Sequence, residues 1–121
     1  MTDDKTTIHE MKSNVLAFIK ERGWDKYTTS KNLALSISLE AAELLEHYQW
    51  TDTHKDNAEI EKELADVIIY CLQFAHKNGI DISTAVQAKM VLNGKKYPAQ
   101  VKELDEYLKI KKEHRGKETT G

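Results

Sequence analysis

The sequence predicts an all-α fold of four helices, with room for a fifth near the C-terminal end. Three observations predict it. Apolar residues recur at three- and four-residue spacing through most of the chain. One proline and five glycines in 121 residues leave long stretches without a breaker. Valine, threonine and the aromatics are not arranged as evenly spaced strands. The length suits one domain, residues 1–121, with a core over about residues 8–98.

Helix one is expected over Ile8–Arg22, where Ile8, Met11, Val15, Phe18 and Ile19 form one apolar stripe. Thr7 and Glu10 make a capping box at its start, and Gly23 ends it as a left-handed cap. A loop follows from Trp24 to Lys31. By itself it reads as Trp24 plugging the helix ends, or as Trp24 and Tyr27 offered for stacking. Helix two is expected over Asn32–Trp50. Its first half alternates with period two, but no turn signal interrupts it. Asp52, Thr53 or Asp56 can cap helix three, expected over Ala58–Asn78. There Ile60, Leu64, Val67, Ile68, Cys71, Leu72 and Ala75 are assigned to the core, and Gly79 to the C-terminal cap. Asp81 or Ser83 can cap helix four, which ends near Asn93 or Gly94 and turns Ile82, Val86, Met90 and Val91 inward. After Pro98, Val101, Leu104, Tyr107 and Leu108 keep a helical spacing, while the charged end from Lys109 is expected to fray.

Helices two and three carry the chemistry. Glu40 and Glu43 stand three apart, as do Glu63 and Asp66, so each pair shares one helix face. Ser36, Glu40, Glu43 and His47 form one stripe; Glu59, Glu63, Asp66, Tyr70 and Gln73 form another. Both run through apolar company, where an acid needs a partner. Solvated helix faces, buried lysine pairs and a metal are the alternatives, and Lys62 points away from the stripe. Four converging carboxylates suit a hard cation, Mg²⁺ or Mn²⁺, because both take oxygen ligands. The absence of any Glu-x-x-His in the chain argues against a ferritin-like di-iron bundle.

Several residues together carry a resemblance: Arg22-Gly23-Trp24, Asn32-Leu33, Glu40-x-x-Glu43, Tyr48-Gln49-Trp50, Glu63-Leu64-Ala65-Asp66 running into Val67-Ile68-Ile69-Tyr70, and Lys89-Met90 with Asn93 and Lys96-Tyr97-Pro98. In this order and spacing the chain resembles the all-α nucleoside triphosphate pyrophosphohydrolases of the MazG-like superfamily, the dCTP pyrophosphatase branch above all. The resemblance implies a Mg²⁺-dependent enzyme that cleaves a (d)NTP to the monophosphate and pyrophosphate, of the house-cleaning type. It implies metal ligation by Glu40, Glu43, Glu63 and Asp66. It places Trp24, Asp25, Lys26, Tyr27, Thr28, Trp50 and Tyr70 at the nucleotide. Lys31, Lys89, Asn93, Lys96 and Tyr97 are the candidates for its phosphates. Glu43 and Glu46 are the candidates for accepting the proton of the attacking water. Where the branch can place a base-contacting histidine, this chain has Val15, which puts cytosine preference in question. After Lys96-Tyr97-Pro98 the chain departs from the basic Gly/Ser segment of the relatives.

Composition bounds the rest. With 40 % hydrophobic and 31 % charged residues, the chain suits a folded soluble protein rather than a disordered one. A net charge of −2 gives no basic field for nucleic acid. The polar start and the lack of a long apolar run predict neither a signal segment nor a membrane span, hence a cytoplasmic protein. Cys71, the single cysteine, reads as an inert core thiol. Helices two and three are apolar on too many sides for so small a monomer. A homodimer, or a tetramer of paired dimers as in the relatives, is therefore expected. A non-catalytic helical module mating with a partner protein is the alternative function.

Overall fold

The structure is a computed structural model that describes residues 1–53, 56–99 and 103–120, the last five of these by their backbone only. Its elements are α1 (Ile8–Glu21), a 3₁₀ turn (Trp24–Tyr27), α2 (Ser30–Glu46), α3 (Asn57–Lys77), α4 (Ile82–Lys96) and α5 (Leu104–Thr120). No strand occurs among the described residues. They fall into two compact units, residues 1–81 and 82–121.

Local chemistry sets the helix ends of the first unit. The Glu10 N–H donates to Thr7 Oγ1 at 3.1 Å and starts α1. Gly23, at φ 67°, turns the chain out of it. The Asn32 N–H donates to Thr29 Oγ1 at 3.1 Å, so α2 begins at Ser30, two residues before the expected Asn32. Asp56 accepts from the N–H groups of Ala58 and Glu59 and starts α3. At the far end of α3, Gly79 N–H reaches His76 O and Ile80 N–H reaches Ala75 O, with Gly79 at φ 63°. That pair of bonds is a Schellman cap.

α3 packs against both α2 and α1. Ile19, Leu33, Leu72 and Ala75 are the buried apolar core. Ser30 Oγ donates to Asn78 Oδ1 at 3.2 Å, tying the start of α2 to the end of α3.

Five expectations need correcting. α2 stops at Glu46, not Trp50. Its last turn tightens into i→i−3 bonds, from Tyr48 N–H to Leu45 O and Gln49 N–H to Glu46 O, and Trp50 lies beyond it at 89 % exposure. Leu64 and Ile68 are exposed on α3, whereas Glu59, Glu63, Tyr70 and Gln73 of the polar stripe are half-buried, because that polar stripe contains the residues that turn towards α2 and α1. Val86, Met90 and Val91 of α4 are about half exposed, with Ile82 half-buried, since α4 packs on the slender α5 and has little to cover its apolar residues. α4 also passes Gly94 and runs to Lys96, stopping where Pro98 disfavours a helical Tyr97. α5 continues through Thr120 rather than fraying from Lys109, with Asp105 and Glu106 suitably placed in its first turn. Val101, expected within that helix, lies outside the described residues.

Candidate metal centre and clefts

α2 and α3 bring the acids together as the three-residue spacing requires. Leu33, Ser36, Ile37, Glu40, Leu44 and His47 are the shielded face of α2. Oxygens of Glu40, Glu43 and Glu63 lie within 4.8 Å of one another. Asp66 stands outside that trio, one turn beyond Glu63, yet its charge still acts on Glu40. Glu43 is exposed, whereas Glu40 and Glu63 are half-buried.

Glu40 bears the strain of this arrangement. Its Oε2 is cut off from water and has no hydrogen-bond partner. Loss of hydration, a hydrogen bond with Glu43 and repulsion from Glu43, Asp66 and Glu63 raise its carboxyl above the ordinary range. Lys62 offers no relief, because it pairs with Glu59 at 3.0 Å. His47 Nε2 lies 3.6 Å from Glu63 Oε1. An orphaned buried oxygen among converging carboxylates is the donor set a hard divalent cation takes, so these residues fit Mg²⁺ or Mn²⁺.

Beside the acids opens a cleft of ≈ 770 Å³. Asn14, Val15 and Phe18 of α1, Trp24, Tyr27 and Thr28 of the turn, Asn32 and Ser36 of α2, and Asp66, Tyr70 and Gln73 of α3 line it. Asp66 thus joins the acids to the cleft. Trp24 meets Phe18 edge-on, with centroids 5.9 Å apart at 69°. The Arg22 guanidinium sits 3.6 Å over the Phe18 ring. Thr28 Oγ1 donates to Trp24 O at 2.8 Å and closes the turn. A cleft lined by aromatic rings and by amides is suited to a flat heterocycle.

Of the residues predicted at the nucleotide, Trp24, Tyr27, Thr28 and Tyr70 share this cleft. Asp25 faces a smaller depression of ≈ 310 Å³ beside Leu16 and His76. Lys26, Lys31 and Trp50 are exposed and line neither. Glu46 is exposed and outside the acidic trio. Sequence reasoning missed Asn14 and Phe18 as lining residues. Asn14 lies four residues before Phe18, so the two share a face of α1, but their spacing does not say what that face meets. In the second unit, Lys89, Asn93, Lys96 and Tyr97 do come together. They line a cleft of ≈ 400 Å³ with Tyr107, Lys111 and Arg115.

Fold and site together define an all-helical protein with carboxylates paired across two packed helices beside an aromatic cleft. Residues 35–109 match the MazG-like family, and the chain belongs to it. It is 32 % identical over 104 residues to dCTP pyrophosphatase 1 of Homo sapiens, and equally so to that of Mus musculus. Each match takes in 78 % of this chain but only 61 % of the relative's length. Among solved structures it is similar to a pyrophosphatase from Archaeoglobus fulgidus, with a TM-score of 0.72 and 40 % identity, covering 81 % of this chain and 98 % of that one.

Proposed function

We propose that the chain is a metal-dependent nucleotide pyrophosphohydrolase, cleaving a nucleoside triphosphate between the α- and β-phosphates. The observation that carries this reading is the acidic trio with the orphaned Glu40 oxygen, opening through Asp66 onto the aromatic cleft. Glu40, Glu43, Glu63 and Asp66 would hold Mg²⁺ or Mn²⁺. Such an ion neutralises phosphate oxygens and makes bound water more acidic.

The remaining roles belong to the chain's own groups. Trp24, Tyr27 and Tyr70 stack on and orient the base, and Asn14, Asn32 and Gln73 offer donors and acceptors to its edge. Val15 offers neither, so discrimination among bases rests on those amides. A dCTP-like or modified deoxynucleotide is the substrate this reading favours, in keeping with the names of the human and mouse relatives. Glu43, exposed within the trio, takes the proton of the attacking water in this reading, with Glu46 the alternative one turn along. Lys89, Asn93, Lys96 and Tyr97, which line a cleft of the second unit, supply donors suited to phosphate oxygens.

Leu35, Leu39 and Leu45 of α2 and Leu64 and Ile68 of α3 are each between 42 % and 66 % exposed. Apolar surface of that extent marks an interface, here with further copies of this chain as a dimer or a pair of dimers. No helix among the described residues is long and apolar enough to cross a membrane, and a cytoplasmic site of action accords with that.

The test is pyrophosphate release from a panel of deoxy- and ribonucleoside triphosphates with Mg²⁺. Turnover of at least one is the expected result. Folded protein that turns over none refutes the proposal.

A further inference from the structure

One neighbour of the acidic centre has so far been given no role in it. His47 follows Glu43 by four residues, so the two share a face of the α2 end, and its Nε2 lies 3.6 Å from Glu63 Oε1 on α3. Both side chains are shielded, the imidazole at 29 % exposure and the carboxylate at 20 %. Among the described residues His47 is the one nitrogen group at ion-pair distance from the trio, since Lys62 turns to Glu59. His47 also caps α2, but it does so through its backbone N–H, which donates to Leu44 O and Leu45 O. The imidazole is not needed for that.

An imidazole beside a metal centre either ligates the ion or holds one of its ligands. Oxygens of Glu40, Glu43 and Glu63 lie within 4.8 Å of one another, and no nitrogen of His47 joins that group. His47 therefore stands behind Glu63 rather than among the donors. A neutral imidazole with its proton on Nε2 can donate to one carboxylate oxygen and leave the other free. At 3.6 Å the pair is in electrostatic contact, a little beyond a formed hydrogen bond. Contacts at such sites are commonly long before a ligand is bound and tighten with it. Ligating carboxylates are themselves held by hydrogen bonds from behind, and these partners orient them for the ion.

We infer that His47 is a positioning residue of the metal centre: its Nε2–H holds Glu63 Oε1 and so fixes the carboxylate that α3 offers beside those of α2. The inference rests on the metal-binding reading of the trio, and on neither the nucleotide nor the reaction.

The experiment titrates Mn²⁺ into the full chain without nucleotide, at one pH, and follows the free ion by electron paramagnetic resonance. Mn²⁺ takes the same oxygen ligands as Mg²⁺. His47→Leu should weaken Mn²⁺ binding by about 10–100-fold. His47→Gln, whose amide nitrogen takes the place of Nε2, should keep most of the affinity. His47→Asn, whose amide falls short of it, should not. Circular dichroism shows which variants are folded, and the Gln and Asn pair carries the test if His47→Leu is not. In a Glu63→Gln background His47→Leu should cost little more, because the carboxylate it held is gone.

Unchanged or tighter Mn²⁺ binding in folded His47→Leu overturns the inference; tighter binding makes His47 a counter-ion that competes with the metal. Equal losses in His47→Gln and His47→Leu also overturn it, as does a full further loss in the Glu63→Gln background, which makes His47 a ligand in its own right. A wild-type chain that takes up no Mn²⁺ removes the metal reading and this inference together. Wild-type binding that His47→Leu leaves intact removes the inference alone.

Discussion

The acidic seam between α2 and α3 and the basic cleft of α4 and α5 are built alike and behave differently. Each sets like charges on two helices, three residues apart in the seam and seven or four apart in the cleft. In the seam one carboxylate oxygen has lost water and has no hydrogen-bond partner, and the Glu40 carboxyl is pushed up as a result. In the cleft Lys89, Lys111 and Arg115 are exposed, and solvent screens them. Like charge matters energetically where water has been removed. The crowding of charge in the seam therefore costs the folded chain more than the spread of charge in the cleft does.

The largest effect that could break this contrast is loss of a seam acid. Glu43→Ala should lower Mg²⁺-dependent pyrophosphate release by about 10²-fold or more, since even partners behind a metal ligand cost 10–100-fold when removed. The wild-type chain should gain stability on adding Mg²⁺, about 2.7 kcal/mol at a hundredfold excess over Kd, and the variant should lose most of that gain. A thermal melt with and without the ion reads it. An Mg²⁺-dependent shift of wild-type size in Glu43→Ala would show that the trio does not bind metal.

Next in size is the aromatic wall. Base stacking on an aromatic ring is worth about 1–3 kcal/mol, so Trp24→Ala should raise KM by about tenfold with a smaller change in kcat. Steady-state kinetics on the best nucleotide of the panel checks this. A fall in kcat at constant KM would move Trp24 from binding the base to supporting the fold through Phe18 and Arg22.

How much of this was legible in the sequence follows the range of the interaction concerned. Caps are local, and Thr7, Gly23, Asp56 and Gly79 each do what their residue type dictates. The acid stripes were legible because three-residue spacing fixes a helix face whatever that face meets. Which stripe of α3 turns inward was not. Leu64 and Ile68 read as core by hydropathy, but the described residues leave about half of each uncovered, and Glu63 is more shielded than either. The end of α2 was hidden because no glycine or proline lies between Glu46 and Trp50. Phe18 and Asn14 join the cleft only through the way α1 lies on α3, a non-local fact. Lys111 and Arg115 read as part of a fraying tail, since nothing before them announced that α5 would persist.

The smallest effect is the one with the most informative sign. Glu40→Gln keeps the shape of the side chain and removes its charge. In the seam this abolishes repulsion with Glu43, Asp66 and Glu63 and leaves an amide in place of the orphaned oxygen. Without divalent metal the variant should melt higher than wild type, by roughly 2–5 °C in a chain of this size. With Mg²⁺ the order should reverse, because the wild type gains a ligand and the variant has lost a charged donor. Lys111→Gln is the matched change in the basic cleft. An exposed lysine screened by water should shift the metal-free melting temperature by no more than about 2 °C in either direction. If Glu40→Gln lowers the metal-free melting temperature instead, the hydrogen bond between Glu40 and Glu43 outweighs the repulsion around it. The seam is then no more strained than the cleft, and the contrast between them is lost.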